Sequence, residues 1–287
     1  MADLNGKVAV VTGAASGIGR ALALALARRS CVLELADIDE LGLRATADAC
    51  RALGSRVDTR VVDVSQREAV HTWAREVGER HAVNLVFNNA GIALGGGVEE
   101  IVYDDIERIM SVNFWGVVHG TMAFLPLLRR SGDGHLVNVS SIYGCLAMPG
   151  QSAYNASKFA VRGFTESLRM ELDIKGDNVT ASTVSPGGIR TNIAASAVIR
   201  SGSLIPDGDL ARRQFSARLI TDPERAAAII LDGVRKRRRR ILVGRDAFWF
   251  DVLVRLLPAA YQRLVGNIVK RRFERARAER LTAQPPG

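Results

Sequence analysis

The stretch Lys7-Val8-Ala9-Val10-Val11-Thr12-Gly13-Ala14-Ala15-Ser16-Gly17-Ile18-Gly19 decides the fold of this chain. Its apolar run from Val8 to Val11 is typical of a buried strand, and the Ala/Leu-rich run from Arg20 to Arg29 predicts a helix. Glycines between a strand and a helix let the backbone approach a pyrophosphate and place it at the helix N-terminus. The spacing differs from the common G-x-G-x-x-G pattern, and glycines also serve in tight turns. The stretch alone therefore leaves two interpretations open, a pyrophosphate-binding turn and a tight turn without a ligand.

The alternation of apolar strands and helical patterns continues outward along the chain. Further apolar runs predict strands near 32–35, 57–62, 85–87, 136–139, 179–184 and 241–243, and helical patterns lie near 17–29, 40–53, 66–80, 100–130, 152–175 and 222–234. Seven nearly continuous apolar strands with helical crossovers predict an α/β fold of the doubly wound Rossmann type, a seven-stranded parallel sheet with helices on both faces. Ligands bind such sheets at the carboxyl ends of the strands. Polar or small residues follow the predicted strands there, namely Gly13, Asp37, Asp63, Asn88, Ser141 and Pro186.

Tyr154 and Lys158 lie four residues apart on the predicted helix 152–175. Residues i and i+4 share one helix face about 6 Å apart, and an ammonium beside a phenol lowers the phenol's pKa from about 10. Such a pair is a usable general acid/base, although on a surface helix it would only face solvent. Upstream, the strand Val137-Asn138-Val139 ends in Ser140 and Ser141, whose hydroxyls can donate to a substrate oxygen.

Together these motifs resemble the short-chain dehydrogenase/reductase family along nearly all of residues 4–245. The family's catalytic serine usually lies thirteen positions before its tyrosine, which matches Ser141 rather than Ser140. No catalytic position departs from the family pattern. The T-G-x-x-x-G-x-G motif is matched by Thr12, Gly13, Gly17 and Gly19, the N-N-A-G motif by Asn88 to Gly91, the helix asparagine by Asn113, the Y-x-x-x-K pair by Tyr154 and Lys158, and the P-G motif by Pro186 and Gly187 with Thr191 beyond.

The resemblance implies an oxidoreductase that transfers a hydride between a nicotinamide cofactor and a secondary alcohol or ketone. By that resemblance Tyr154 transfers the proton, and Ser141 donates a hydrogen bond to the reacting oxygen. Lys158 is expected to lower the pKa of Tyr154 and to bind the nicotinamide ribose. Asn113 resembles the residue that anchors a water relay from the lysine, although within an apolar helix an asparagine also commonly bonds the backbone.

The expected cofactor is NAD(H) rather than NADP(H). Asp37 ends the second strand about twenty residues after the glycines, where a carboxylate accepts hydrogen bonds from ribose hydroxyls and repels a 2′-phosphate. The positions where NADP users place a basic side chain hold Ser16 and Ile38. The alternative is that Asp37 only caps the next helix. The expected cofactor-binding residues are Gly13, Ser16, Gly17, Ile18, Gly19, Asp37, Asp63, Val64, Asn89, Ala90, Gly91, Tyr154, Lys158, Pro186, Gly187 and Thr191.

The segments expected to shape the substrate site are largely apolar, which favours lipophilic alcohols or ketones, whether steroid-like, long-chain or aryl. The expected pocket consists of Ser141, Ile142, Cys145, Met148 and Tyr154, with Leu146, Ile193, Val198, Ile199, Leu204, Ile205 and Phe215 as further apolar candidates. The three cysteines have unrelated spacings, so we expect reduced thiols in a cytoplasmic protein and no metal site.

The net charge of +9 is concentrated at the C-terminus. The last 65 residues carry 16 Lys and Arg against 6 Asp and Glu. We expect residues 1–245 to form the Rossmann NAD-binding and catalytic domain and residues 246–287 a basic amphipathic extension. This extension either packs on the fold or a subunit interface, or lies on an anionic membrane. Without a reading motif, nucleic acid is not an expected partner.

We expect a homodimer or homotetramer. Two other classes of function remain open from the sequence: a cofactor-binding regulatory protein, which should have lost a catalytic residue, and a membrane-surface scaffold.

Overall fold

The computed structural model describes residues 4–193, 195–202, 205, 208–217 and 219–283, without the side chains of 211, 214, 215 and 272–283. Of the apolar residues expected near the substrate, Leu204 lies outside the described residues, as does the side chain of Phe215.

A single parallel sheet of seven strands forms the centre of the fold, which confirms the predicted architecture. Its order is β3-β2-β1-β4-β6-β7-β9, so the direction of winding reverses between β3 and β4. A separate pair of short parallel strands, β5 and β8, was not predicted. The strands are β1 (Val8–Thr12), β2 (Val32–Asp37), β3 (Val57–Val61), β4 (Leu85–Asn88), β5 (Leu94–Gly95), β6 (Gly134–Val139), β7 (Val179–Pro186), β8 (Val198–Ile199) and β9 (Arg240–Val243).

Helices connect the strands and continue beyond them. The helix predicted near 100–130 is divided by a π-helical turn, Ser111–Trp115, which contains Asn113. The helices are α1 (Gly17–Ala27), α2 (Glu40–Ala52), α3 (Arg67–Arg80), α4 (Tyr103–Met110), α5 (Gly116–Arg130), α6 (Ser152–Ile174), α7 (Gly208–Ser216), α8 (Pro223–Arg235), α9 (Arg245–Leu256) and α10 (Ala260–Ala283).

Both faces of the sheet are buried under helices. Successive strand side chains point to opposite faces, so Val11 packs in the cluster that includes residues of α1, α2 and α8, whereas Val10 packs in the cluster that includes residues of α3, α5 and α6. In the second cluster Trp73 meets Phe124 edge-on, with ring centroids 5.1 Å apart. This two-sided burial explains why central strands such as β1 and β4 are mainly apolar, whereas the edge strand β3 carries polar residues and is exposed over its last three positions.

One helical stretch of the fold has an apolar composition. Within the described residues, Tyr103–Arg130 alone is long and apolar enough to cross a membrane, and 56% of its most apolar window is buried inside the fold. Because core helices pass the same test, composition alone carries no further conclusion here.

The first part of the segment predicted as an extension packs on the Rossmann fold that precedes it. Ala247, Tyr261 and Val265 are buried in one cluster with Ile142 and Leu146. The Tyr261 hydroxyl also accepts a hydrogen bond from the backbone N–H of Ala147 at 3.1 Å. The expected boundary between residues 245 and 246 therefore lies beside a shared core rather than a free linker.

Candidate active site

The carboxyl ends of the strands surround a cavity of about 630 Å³. Of the predicted catalytic, cofactor-binding and central pocket residues, Gly19, Asn113 and Cys145 do not line it. The remaining ones do: Gly13, Ser16, Gly17, Ile18, Asp37, Asp63, Val64, Asn89, Ala90, Gly91, Ser141, Ile142, Met148, Tyr154, Lys158, Pro186, Gly187 and Thr191. Of the further apolar candidates, Ile193 lines the cavity, whereas Leu146, Val198, Ile199 and Ile205 do not.

Two glycines at one end of the cavity have backbone conformations that other residues rarely adopt. Gly13 has φ of 67° and Gly17 has φ of 54°. A Cβ on Gly13 would lie 2.8 Å from the Cα of Ala90, and a Cβ on Gly17 would lie 2.9 Å from the Thr191 side chain. Gly19 lies behind this surface, where a Cβ would collide with the carbonyl oxygen of Gly13. The glycines thus allow a tight turn that is closely packed against the neighbouring loops.

Asn89 fixes the glycine turn from the adjacent strand end. Its Nδ2 donates to the carbonyl oxygens of Thr12 at 3.0 Å and Gly13 at 3.2 Å. In return, the Thr12 hydroxyl accepts from the backbone N–H groups of Asn89 and Ala90 at 3.0 and 3.1 Å. The resulting network holds two strand ends of the cavity in register.

The N-terminus of α1 is open toward the cavity. Its N-cap residue Ser16 makes no side-chain capping bond, and the first turn contains no acidic residue. Ser16, Gly17 and Ile18 line the cavity. The uncompensated N–H groups and the helix dipole therefore favour an anion there, which fits the pyrophosphate of a dinucleotide.

Asp37 lies at the end of β2 and borders the cavity. Its carboxylate accepts from the backbone N–H of Ala15 at 2.9 Å and of Asp39 at 3.0 Å. The side chain that caps α2 is that of Asp39, which accepts from Gly42 N at 3.1 Å. Asp37 is therefore not the helix cap, and it fixes a carboxylate between the glycine turn and the second strand.

Asp63 and Val64 border the same end of the cavity. Oδ1 of Asp63 accepts from the backbone N–H and the hydroxyl of Ser65 at 2.9 and 2.7 Å. The carbonyl oxygen of Val64 is 3.1 Å from Nδ1 of the buried His119. Hydrogen bonds to neighbouring residues thus hold both of these expected cofactor-binding residues at the border of the cavity.

Ser141, Tyr154 and Lys158 meet at the other end of the cavity. All three are at most 9% exposed. The Ser141 hydroxyl accepts a hydrogen bond from the backbone N–H of Tyr143 at 3.1 Å, and it lowers the pKa of the nearby Tyr154 phenol. Lys158 Nζ donates to the carbonyl oxygen of Val139 at 3.1 Å and lies 5.8 Å from the centre of the Tyr154 ring. The α6 spacing and the end of β6 thus bring a phenol, a hydroxyl and an amine into one buried group.

Burial dominates the protonation of this group. It raises the pKa of Tyr154 to about 12, against the lowering effect of the Ser141 hydroxyl. It also lowers the pKa of Lys158 from 10.5 to about 8. Lys158 was expected to lower the pKa of this phenol, but the groups that shift the pKa of Tyr154 are the buried surroundings, Ser141 and Tyr143, and the net shift is upward. Tyr154 is a proton donor at neutral pH in this state.

Asn113 lies behind the cavity wall and bonds mainly to the backbone. Its Oδ1 accepts from Ile92 N at 2.8 Å, and its Nδ2 donates to Ile92 O at 3.0 Å and to Ser157 Oγ at 3.1 Å. A Cβ on Gly91 would lie 3.1 Å from Asn113 Oδ1 and 3.4 Å from Lys158 Nζ. Asn113 thus positions the strand-end loop beside Lys158, and these contacts match the backbone-bonding alternative.

Cys145 was expected in the substrate pocket, but it does not line the cavity. It is 4% exposed and packs in the cluster with Ala247 and Tyr261. Its sulfur contacts Ser185 Oγ at 3.8 Å and Arg240 Nη2 at 3.5 Å. The 3₁₀ turn Ile142–Gly144 that follows Ser141 carries the thiol away from the cavity, so proximity in sequence was misleading.

The apolar wall near Tyr154 includes residues that the sequence analysis did not assign to the site. Tyr143 meets Tyr154 edge-on with ring centroids 6.0 Å apart, and Phe250 of α9 also lines the cavity. No local motif marks Phe250, because it reaches the site only through the packing of α9, whereas Tyr143 lies in the 3₁₀ turn directly after Ser141. Further unassigned lining residues are Ile92, Arg108, Ser111, Val112, Gly188, Ile189, Leu219, Ile220 and Asp246.

Among the lining residues that the sequence analysis did not assign, Asp246 has the clearest signal in the local sequence. It follows the end of β9, just as Asp37 and Asp63 follow their strands. Its Oδ2 accepts from the backbone N–H of Gly188 at 2.6 Å, and its Oδ1 is buried without a hydrogen-bond partner among the described residues. A buried carboxylate therefore supports the loop after β7 from the side of α9.

A group of possible metal ligands, Glu34, Asp58 and His81, lies outside this cavity. The guanidinium of Arg80 bonds both carboxylate oxygens of Glu34 at 2.9 and 3.0 Å. A cation thus already neutralises the most buried carboxylate of the group.

Comparison with known protein families agrees with this architecture. The family model described as short chain dehydrogenase matches residues 7–200, which is more than half of the chain. A crystal structure of a short-chain dehydrogenase/reductase from Burkholderia phymatum in complex with NAD is 33% identical, with a TM-score of 0.84, over 91% of this chain and 97% of that chain.

Two curated relatives extend the comparison. SadH of Mycobacterium tuberculosis, designated a candidate oxidoreductase, is 48% identical over 275 residues, or 95% of this chain and 99% of that protein. Estradiol 17-beta-dehydrogenase 11 of Mus musculus is 30% identical over 274 residues, or 95% of this chain and 87% of that protein. Both alignments extend through most of the C-terminal segment as well as the sheet.

Proposed function

The chain belongs to the short-chain dehydrogenase/reductase family, and from that premise we propose that it transfers a hydride between NAD(H) and a lipophilic secondary alcohol or ketone. Membership of this family makes the chain an oxidoreductase that uses a nicotinamide cofactor. One observation supports the proposed reaction and cofactor: Ser141, Tyr154 and Lys158 line the same cavity as the glycine turn and Asp37. The cofactor, when bound, accepts or supplies the hydride at its nicotinamide ring.

Tyr154 is the proton-transferring residue of this proposal. As the proton donor of the buried group, it gives its proton to a ketone oxygen during reduction. In the opposite direction it takes the proton from an alcohol. Ser141, whose hydroxyl lies in the same buried group as Tyr154, binds the same oxygen and stabilises the charge that develops there.

Lys158 provides a positive charge near the Tyr154 phenol. With its pKa near 8, its amine is largely protonated at neutral pH, although burial makes that charge costly. A positive charge 5.8 Å from the ring centre favours phenolate over phenol as the proton leaves. Asn113 is a positioning residue in this proposal, because it holds the Ile92 backbone next to Lys158.

Asp37 and Ile38 support NAD(H) as the preferred cofactor. The Asp37 carboxylate is fixed by two backbone N–H groups, so it cannot swing away from an approaching 2′-phosphate without losing both bonds. At about 4 Å, two like charges repel by roughly 1–4 kcal/mol. Ile38 is 69% exposed and offers no cation to offset that repulsion. The similar Burkholderia phymatum protein contains NAD in its crystal structure.

The apolar wall supports a lipophilic substrate. Ile142, Met148 and Phe250 line the cavity beside Tyr154 and Ser141. Such a wall gains from burying hydrocarbon and leaves sugar hydroxyls without partners. The name of the mouse relative, an estradiol dehydrogenase, is in line with a bulky apolar alcohol.

We further propose that the chain is a cytoplasmic homodimer or homotetramer. Five large apolar side chains on the π-helical turn, α5 and α6 are 42–84% exposed: Trp115, Met122, Phe159, Met170 and Ile174. Exposed apolar groups of this size support association with a second copy. Light scattering on the purified chain measures the assembly directly.

The function is tested by following NADH absorbance and fluorescence with a panel of substrates. Steroid, long-chain and aryl secondary alcohols form the test set, and polyols and hydroxy acids of matched reactivity form the control set. We expect NAD-dependent turnover in the first set and at least tenfold lower kcat/KM in the second. Absence of turnover across the test set despite tight NADH binding would instead favour a regulatory protein.

A further inference from the structure

Large apolar side chains are exposed on α9, on the turn after it and on α10. We call six of them, Phe248, Trp249, Leu256, Leu257, Leu264 and Ile268, the tail surface; they are 43–74% exposed. The rings of Phe248 and Trp249 contact each other edge to face, with centroids 5.4 Å apart. Exposed apolar side chains that recur along one segment in this way indicate a contact surface rather than scattered surface residues.

Both helices bury their opposite side in the same cluster. Ala247 of α9 and Tyr261 and Val265 of α10 pack there against Ile142 and Leu146. Because the two helices rest on one shared cluster, the tail surface faces away from the catalytic body on both of them. The spacing of Leu264 and Ile268, one helical turn apart, keeps this outward face continuous along α10.

The exposed charges around the tail surface have one sign. Every exposed charged side chain described between 245 and 271 is basic: Arg245, Arg255, Arg263, Lys270 and Arg271. The two acidic residues in this range are engaged with the fold, since Asp246 bonds Gly188 and Asp251 pairs with Arg240 and Arg255. Arg263, Lys270 and Arg271 are exposed and form no ion pair with another residue whose side chain the structure describes.

We propose that the tail surface binds the surface of an anionic lipid bilayer. Aromatic and aliphatic side chains bury at the boundary between headgroups and acyl chains, while the surrounding cations contact lipid phosphates. Each basic residue near such a surface strengthens partitioning by about fivefold. A second copy of the chain suits the patch less well, because a symmetric interface would bring the same cations together.

This inference is independent of the proposed reaction, because lipid binding is measured without turnover. It does have a consequence for the site, since Phe250 of the same helix lines the cavity. A membrane-bound α9 would hold the cavity close to the phase in which lipophilic substrates dissolve.

The test uses the full chain and sedimentation with vesicles. Phosphatidylcholine vesicles containing phosphatidylglycerol are compared with pure phosphatidylcholine vesicles, each at low and high salt. We expect the chain to pellet only with the anionic vesicles and to be released by salt, because exposed charges are screened over about 10 Å at 0.1 M. A chain that remains in the supernatant with anionic vesicles at low salt overturns the proposal.

Substitutions locate the binding surface. We expect Phe248→Ser with Trp249→Ser, and separately Arg263→Glu with Lys270→Glu, to weaken vesicle binding at least tenfold. The matched control is Arg67→Glu with Arg75→Glu on α3, which makes the same change of net charge on another helix and should bind nearly as well as the unmodified chain. Equal loss in this control would attribute binding to net charge alone and overturn the assignment to the tail surface.

Two further readouts keep the result interpretable. NADH binding and circular dichroism confirm that each variant is folded, and light scattering reports its assembly. If the Phe248 and Trp249 variant dissociates into smaller particles without vesicles, the tail surface is a subunit interface and the proposal fails. Truncation after Val243 is unsuitable because it would remove Ala247 and Tyr261 from the buried cluster.

Discussion

The carboxylate of Asp246 accepts a hydrogen bond from the backbone N–H of Gly188 at 2.6 Å, joining residues 58 positions apart. This bond ties the first turn of α9 to the loop after β7, and both residues line the cavity. Gly187 is confined by the same contact, since a Cβ there would collide with the Asp246 carboxylate. The segment beyond β9 therefore helps to shape the active-site cavity.

Asp246→Ala should weaken NADH binding by about tenfold or more. A hydrogen bond to a charged group contributes roughly 1.5–3 kcal/mol, and without it the Gly188 loop loses its support. Asp246→Asn keeps an oxygen acceptor at the same position and should lose less. Fluorescence titration with NADH measures both. Equal, near-normal affinities would mean that the loop holds its shape without this bond.

Tyr154→Phe should lower kcat by about 10³-fold or more and leave NADH affinity nearly unchanged, because only the transferable proton is removed. The neighbouring Tyr143→Phe is a matched control, since it removes a hydroxyl from the same cavity wall. Steady-state kinetics and NADH titration are the measurements. A Tyr154→Phe enzyme that retains a tenth of the normal rate would contradict the assignment.

The buried amine of Lys158 should make the free energy of unfolding depend on pH in the alkaline range. Its pKa falls from 10.5 to about 8 on folding, so between these values the unfolded chain binds more protons and the free energy of unfolding rises with pH. Relative to Lys158→Met, the unmodified chain should gain roughly 3 kcal/mol between pH 8 and 10.5. Denaturant unfolding across this window measures the difference, and parallel curves for the two proteins would argue against a buried, pKa-shifted amine.

Asp37→Ala combined with Ile38→Arg should shift preference toward NADP(H), because repulsion of the 2′-phosphate is replaced by attraction. Ile38→Arg alone retains the fixed carboxylate and should shift preference less. The ratio of kcat/KM for the two cofactors is the readout. If the unmodified enzyme already prefers NADPH, the interpretation of Asp37 is incorrect.

Gly19→Ala should abolish cofactor binding or folding, because its Cβ would meet the Gly13 carbonyl and lie 2.7 Å from Asn89 Nδ2. Gly163→Ala is the control, since Gly163 is an exposed position within α6 where a Cβ meets nothing within 4 Å. That substitution should stabilise the chain by roughly 0.5–1 kcal/mol through helix propensity. Thermal unfolding and NADH titration compare the two.

The fold was predictable because its signals are local. Central strands such as Val8–Thr12 and Leu85–Asn88 are short, mainly apolar runs that are almost fully buried, so composition alone marked them. The pair β5 and β8 was missed because two-residue strands such as Leu94–Gly95 carry no periodicity. The π-helical turn around Asn113 was missed because its apolar pattern is continuous with the flanking helices.

The sequence by itself determined which chemical groups this protein brings to its strand ends: the glycine turn, Asp37, Ser141, Tyr154 and Lys158 stand in motifs whose spacing is local. Only the tertiary structure decided their surroundings. It turned Cys145 away from the cavity, and it brought Asp246 and Phe250 in from α9. It also buried Tyr154 and Lys158 so deeply that desolvation governs the pKa of each. The physical reason is that burial and long-range contact depend on how distant segments pack, which no local pattern of residues encodes.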